Sequence, residues 1–344
     1  MRRSRPGFFA VAATYVGTVV GAGFASGREI LQFFASFGPR GAWGLGLATA
    51  LFALFGILVM LAGRRVNAVS HGEVVKAVAG GRLGRWADVT ITAFLLGATS
   101  VMFAGSGALF AEQLGMPAFL GSVLMFTLST ATVLKGLTGV VAANVVVAPV
   151  LLTVTIGTAL GLAVTGRPGP VPAALTGGGV LGRWWLAALL YASYNLLLAT
   201  PVLGPLGSAT RDRRSLVAGA ALGAAALGVA AAAIYRAILV TAPLSAAHQV
   251  PMLYVARILS ARLAPAYAVI LWLEIYTTAV GGVYGMAARL AGGDSRLFRH
   301  RALMAGLAAL VASGLGFPRL VASVYPAAGC LGLLWLLLLL VRRA

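Results

Sequence analysis

Residues 15–38 read YVGTVVGAGFASGREILQFFASFG, with glycines at 17, 21, 23 and 27. Each glycine weakens a helix by about 1 kcal/mol relative to alanine. Four of them so close together predict a break inside an otherwise apolar helix. Residues 184–210, WWLAALLYASYNLLLATPVLGPLGSAT, carry a comparable defect. Pro201 and Pro205 each remove an amide donor, and Gly204 and Gly207 soften the same stretch. Thr200 follows Gly23 by 177 residues, and Pro326 follows Pro149 by the same interval.

The rest of the chain says what such helices are embedded in. Of 344 residues, 60% are hydrophobic and only 10% are charged. Soluble domains carry about 25% charged residues, so there is too little charge to cover a water-exposed surface. The composition predicts an all-α polytopic membrane protein. A bilayer span takes about 20 apolar residues, and ten candidates fit: 7–37, 41–63, 87–112, 117–135, 139–165, 184–210, 214–240, 264–290, 298–317 and 319–341. The apolar run at the N-terminus extends too far for a cleaved signal and is read as the first span.

The net charge of +19 would suggest nucleic acid in a soluble protein. Here the charges follow the spans. Ten spans place 18 Lys and Arg on the side of both termini and six on the other, with Arg28 and Arg236 in or near spans. By the positive-inside rule both termini are expected in the cytoplasm, in a bacterial cytoplasmic membrane. No nucleic-acid partner is expected. The Gly/Pro-rich segment 166–183 divides the chain into five spans (1–165) and five spans (184–344). An odd number per half forces opposite insertion, so related halves would form a 5+5 inverted repeat with helices 1 and 6 broken at the midplane. Two loops have helical spacing of their own, VNAVSHGEVVKAVAGG (66–81) and HQVPMLYVARILSARL (248–263).

The string VGTVVGAGFASGREILQFFASFG, with ALLYASYNLLLATPVLG in the sixth span, resembles the YkvI-like amino-acid permeases of the amino acid–polyamine–organocation (APC) superfamily. The likeness runs through all ten spans, with motif-level similarity in spans 1 and 6. It implies a LeuT-type fold and alternating access around a central site. It further implies a secondary transporter of a small organic solute, an amino acid or related zwitterion. In sodium-coupled superfamily members a cation sits between carbonyls of span 1 and hydroxyls of span 8. Carried over, this places Gly17 and Val20 at such a site together with Glu274, Thr277 and Thr278 of LWLEIYTTAVGG. The spacing of those three puts them on one helical face. Glu274 departs from the sodium-site pattern, which leaves Na+ and H+ both open as coupling ion.

Unwound backbone suits a carboxylate at its amides and a cation at its carbonyls. The substrate site is therefore expected at Gly21, Ala22, Gly23, Phe24 and Ser26 of span 1. Thr99, Ser100 and Phe103 of span 3 and Ser193, Tyr194, Asn195 and Thr200 of span 6 complete it. Each hydroxyl has a plainer reading, a bond to its own helix backbone. Glu274 is the acid placed deepest in a span, and it reads either as a coupling group or as the partner of Arg28 or Arg236. Arg28 and Glu29 follow the break and read as an outer gate, or as a snorkelling arginine and a helix cap. Asn144 in span 5 is a weaker polar candidate.

No cofactor is expected. Cys330 is the only cysteine, the three histidines fall in predicted loops, and Walker A, GxSxG and metalloprotease spacings do not occur. The expected partners are a small-molecule substrate and the lipid bilayer. The chain is read as no enzyme. The rival reading is a solute sensor on a transporter fold, like a germinant-receptor subunit.

Overall fold

The computed structural model describes residues 6–164, 182–248, 250–316 and 331–341, and all of its regular structure is helical. The first span is three pieces: α1 (Phe8–Val19), α2 (Ala22–Ala25) and α3 (Arg28–Phe33). The long helices are α4 (Gly41–Arg65), α6 (Gly81–Leu114), α8 (Leu137–Val164), α9 (Trp184–Ala209), α10 (Arg213–Thr241) and α13 (Leu263–Ala291). Among the described residues six helices are long and apolar enough to cross a membrane, and three shorter apolar ones accompany them: α1, α7 (Ala118–Val133) and α15 (Leu331–Val341). The expected ninth span is α14 (Ser295–Ser313), capped by the Asp294 side chain on the amides of Arg296 and Leu297.

Both predicted loop helices form. α5 (His71–Ala79) starts at a capping box in which Ser70 and Glu73 bind each other's backbone amides. It buries Val74, Val75 and Val78. α12 (Pro251–Leu259) follows the short α11 (Leu244–Ala247) and buries Met252 and Val255. His71 was expected in a loop; it is buried at the start of α5, because the apolar face of that helix packs down on α6.

The long helices sort into two packed groups. In one, α4 packs on α9 and α10, and α1 packs on α9 and α10. In the other, α6, α7, α13 and α14 all pack on one another. α8 leans on α1, α10 and α13, and α2 lies against α13. The break in span 1 therefore sits where the two groups meet. Backbone ties mark the two ends of the bundle. Arg211 N donates to Pro6 O and Arg64 to Thr210 O on the N-terminal side. Tyr235 donates to Gly38 O and Met252 N to Ser26 O on the far side.

One expectation is corrected. The sixth span is not broken: α9 runs uninterrupted from Trp184 to Ala209 with Pro201 and Pro205 inside it. A proline removes its own amide donor and crowds the carbonyl four residues back, but α9 is buried over most of its length. Its glycines bring it onto α4 so closely that a Cβ at Gly63 would overlap the Gly204 carbonyl, and one at Gly207 the Met60 carbonyl. Packing on that scale holds the remaining hydrogen-bond ladder in place. The span 5 proline, Pro149, likewise lies inside a continuous α8. Pro326, Cys330 and nearly all of the 166–183 linker lie outside the described residues.

Candidate functional site

The span 1 break begins where α1 ends. Val20 turns to an extended conformation and donates its amide to Val16 O. Gly27 closes α2 at φ 79°, a left-handed conformation that glycine takes without strain. Unwound backbone at membrane depth has to be satisfied by protein, water or ligand, and most of its carbonyls are accounted for. Thr278 Oγ1 donates to Val20 O (2.7 Å), Ala25 N to Gly21 O (3.1 Å) and Ser26 Oγ to Gly23 O (3.1 Å). Gly27 N donates to Phe24 O, Tyr267 Oη to Ala25 O (2.8 Å) and Met252 N to Ser26 O. Tyr267 and α12 thus cover the break on the far side.

Two corners of the break are chemically distinct. In the first, Val20 O and Thr278 Oγ1 converge, and a Cβ on Gly21 would lie 3.7 Å from that hydroxyl. Thr277 turns inward to its own helix and donates to Glu274 O (3.1 Å). Below them the Asn144 side chain fills the space beside Gly17. Its Nδ2 donates to Val140 O, while its Oδ1 is buried with no donor among the described residues. A carbonyl, a hydroxyl and an unpartnered amide oxygen are hard oxygens of the kind a small cation selects.

The second corner holds two acids. Glu274 is 1% exposed, and neither of its carboxyl oxygens has a hydrogen-bond partner among the described residues. Glu29, half-buried, folds back from α3 until its carboxylate lies against Gly23. Tyr191 and Tyr194 flank that carboxylate. An acid at a span centre costs about 2.5–3.5 kcal/mol on insertion scales, so each needs a compensating charge or proton. The pairing of Glu274 with Arg28 or Arg236 does not form. Both arginines are exposed, and Arg28 reaches only the His248 carbonyl at 3.5 Å. Among the described residues the ion pairs formed all involve Asp88, which binds Arg289 and lies 3.4 Å from His71.

Most of the other expected polar side chains bond within their own helices. Thr99 and Ser100 donate to the carbonyls of Leu95 and Leu96 in their own helix. Phe103 packs edge-on against Phe126, within the group of α6 and α7. In α9, Ser193 donates to Leu190 O and Asn195 to Tyr191 O. Thr200 donates to Leu196 O and accepts from Trp335 Nε1 of α15, so it fastens a neighbouring helix. Phe24 and Ser26 are buried at the break itself. The sequence reading passed over Tyr191 and Tyr267. Tyr191 stands three residues before Tyr194, hence on the same helical face, and that spacing was the available signal. Tyr267 carried no local signal, since its partner carbonyl is 242 residues away.

On the N-terminal side a cavity of about 950 Å³ opens between the two helix groups, lined by Lys135, Thr138, Ser208, Tyr284, Asp294 and Arg299 among others. The far side is covered and the N-terminal side is open.

No family model matches the chain. It is 32% identical to the uncharacterized membrane protein YkvI of Bacillus subtilis (strain 168) over 344 residues, covering 100% of this chain and 98% of that one. It is 25% identical to the uncharacterized protein YyaD of the same strain, covering 94% of each. Among solved structures it resembles MhsT in complex with L-phenylalanine (TM-score 0.69, 18% identity, 98% of this chain and 89% of that one). It also resembles a Na+-coupled sialic acid symporter in a substrate-bound outward-open state (TM-score 0.65, 14% identity, 93% and 75%). A third is Mhp1, a nucleobase-cation-symport-1 family transporter, with bromovinylhydantoin bound (TM-score 0.59, 14% identity, 95% and 78%). The fold is that of the LeuT-type transporters.

Proposed function

The chain belongs to the family of the YkvI membrane protein, and from that premise we propose that it is a secondary active transporter of a small organic solute, coupled to Na+ or H+. The observation that carries the reading is the interruption of the first span over Val20–Gly27, where the short α2 stands between two non-helical turns, lodged where two separately packed helix groups meet. A site at that junction is remade whenever one group moves on the other. The fold neighbours include proteins named for a bound amino acid and for Na+-coupled symport, which supports a coupled solute here.

In this reading Val20 O, Thr278 Oγ1, the Gly17 segment and Asn144 Oδ1 form the cation corner. The solute occupies the adjoining space beside Gly21, Gly23, Ser26 and Tyr194, and its class is an amino acid or related zwitterion. The group α1, α4, α9 and α10 rocks against α6, α7, α13 and α14. Arg28 and Glu29 lie on the far side of the break and move with the first group. The arginine-rich side faces the cytoplasm, so the open cavity is the inward vestibule. Residues 1–165 and 184–344 are the two repeats.

Reconstitution tests it. Purified protein in liposomes should accumulate solute against its gradient when an inward Na+ or H+ gradient is imposed, and lose that uptake when the gradient is collapsed. Saturable binding without gradient-driven uptake would instead favour a sensor.

A further inference from the structure

We infer that Glu29 and Glu274 together form an ammonium-binding subsite, and that the solute is a small amine whose positive charge they hold. The inference rests on the transporter reading and puts an amine in place of the zwitterion as its substrate class.

The two acids come from different helices to the same break: Glu29 folds back from α3 onto Gly23, and Glu274 lies on α13 between Tyr267, which donates to Ala25 O, and Thr278, which donates to Val20 O. Tyr191 stands within the field of both. Its buried hydroxyl lies beside Glu29, and neither carboxyl oxygen of Glu274 has a hydrogen-bond partner among the described residues. No basic side chain among the described residues pairs with either acid; Arg28 and Arg236 are exposed. One acid buried and one half-buried at the same break need a compensating charge or proton, and no basic side chain among the described residues supplies it.

The walls beside Glu29 select the kind of cation. Phe33 lies 5.4 Å from Tyr191 and 5.9 Å from Tyr194 between ring centroids, and the two tyrosines are edge-to-face at 5.7 Å. Phe33 and Glu29 are half-buried, hence reachable. Aromatic faces attract an organic ammonium and pack on its hydrocarbon body. A hard divalent metal such as Ca2+ or Mg2+ would want six or more oxygens or waters, and no group of three metal-ligating side chains occurs among the described residues. A substrate carboxylate is poorly served. Glu29 already lies against Gly23, so an anion arriving at the break would meet two acids.

Matched pairs of ligands test the assignment on the purified full-length chain in detergent, read by thermal stabilisation. The pairs are isoamylamine with leucine, phenethylamine with phenylalanine, and cadaverine with lysine; MnCl2 and NaCl are run alone. Each amine should stabilise the protein at a concentration at least tenfold below that of its parent amino acid. Glu274→Gln and Glu29→Gln should each raise the amine midpoint tenfold or more while still melting cooperatively without ligand. Glu274→Asp, which keeps the charge, should retain part of the response and stands in where a Gln variant fails to fold. Amino acids that stabilise as well as amines would overturn the assignment. So would stabilisation by Mn2+ but by no amine, Gln variants with the wild-type midpoint, or no response to any amine. Amine binding without gradient-driven uptake in liposomes would overturn the transporter reading and leave the subsite standing. Coupled uptake of an amino acid with no preference for its amine would do the reverse.

Discussion

Thr278→Val is the sharpest probe of the cation corner. Its hydroxyl donates to Val20 O at 2.7 Å across the break. Valine keeps the branched shape but leaves that carbonyl without its donor, which costs about 1–3 kcal/mol for a buried group. A bound cation would sit between the same two oxygens, with the hydroxyl turned so that its lone pair faces the ion. Polar contacts to a charged group contribute about 1.5–3 kcal/mol, which corresponds to roughly a 10- to 150-fold loss in affinity at 1.4 kcal/mol per decade. Thr277→Val is the control, because that hydroxyl donates to Glu274 O within its own helix. The assay is the melting temperature of purified protein titrated with NaCl, with choline chloride holding ionic strength constant. A ligand that binds only the folded state stabilises in proportion to the logarithm of its concentration over Kd. The sodium midpoint should rise at least tenfold in Thr278→Val and stay within about twofold in Thr277→Val. Equal shifts in both variants, or none in Thr278→Val, would refute the reasoning. A wild type indifferent to sodium would remove Na+ from this corner.

Further predictions concern the frame around the site. Gly63→Ala should lower thermal stability by about 1–3 kcal/mol, the usual cost of overpacking, since its Cβ would overlap the Gly204 carbonyl. Gly46→Ala on the same helix meets open space and should be neutral or slightly stabilising in the same melt. Asp88→Asn should cost about 1–3 kcal/mol by chemical or thermal unfolding. That lies between exposed and fully buried pairs, because Asp88 is buried and Arg289 is 40% exposed. Burial holds the His71 imidazole down at about 4, with Asp88 pulling it up and Arg289 pushing it further down. Below pH 6.5 the unfolded chain takes up a proton that the folded chain refuses. Stability should therefore fall from pH 6.5 toward pH 4, by up to about 3 kcal/mol from this group. Melting curves of wild type and His71→Gln across that range check it, and identical slopes would exclude His71 as the cause.

How far the site could be read in advance depended on the range of the interaction involved. The glycine cluster at 17–27 predicted the break because the cost of glycine in a helix is local, and the break is there. The same local logic failed at Pro201 and Pro205. Whether a proline interrupts a helix depends on what packs around it, and α4 lies against α9 at Gly204 and Gly207. Helix-face spacing placed Glu274, Thr277 and Thr278 together, but not which of the two hydroxyls leaves its helix to reach Val20. Thr99, Ser100 and Thr200 looked alike as sequence, and all three turned back to their own backbone carbonyls.

By itself the sequence determined the environment. Too few charges for water, apolar runs of bilayer length and an uneven spread of arginine act through composition, which no packing alters. Only the tertiary structure decided how the few polar groups inside are paired. Glu274 could have met Arg28 or Arg236. Instead its carboxyl oxygens have no partner among the described residues, and Glu29 folds back onto Gly23 beside two tyrosines. A buried charge answers to whatever helix folding brings against it, and that neighbour comes from 162 or more residues away.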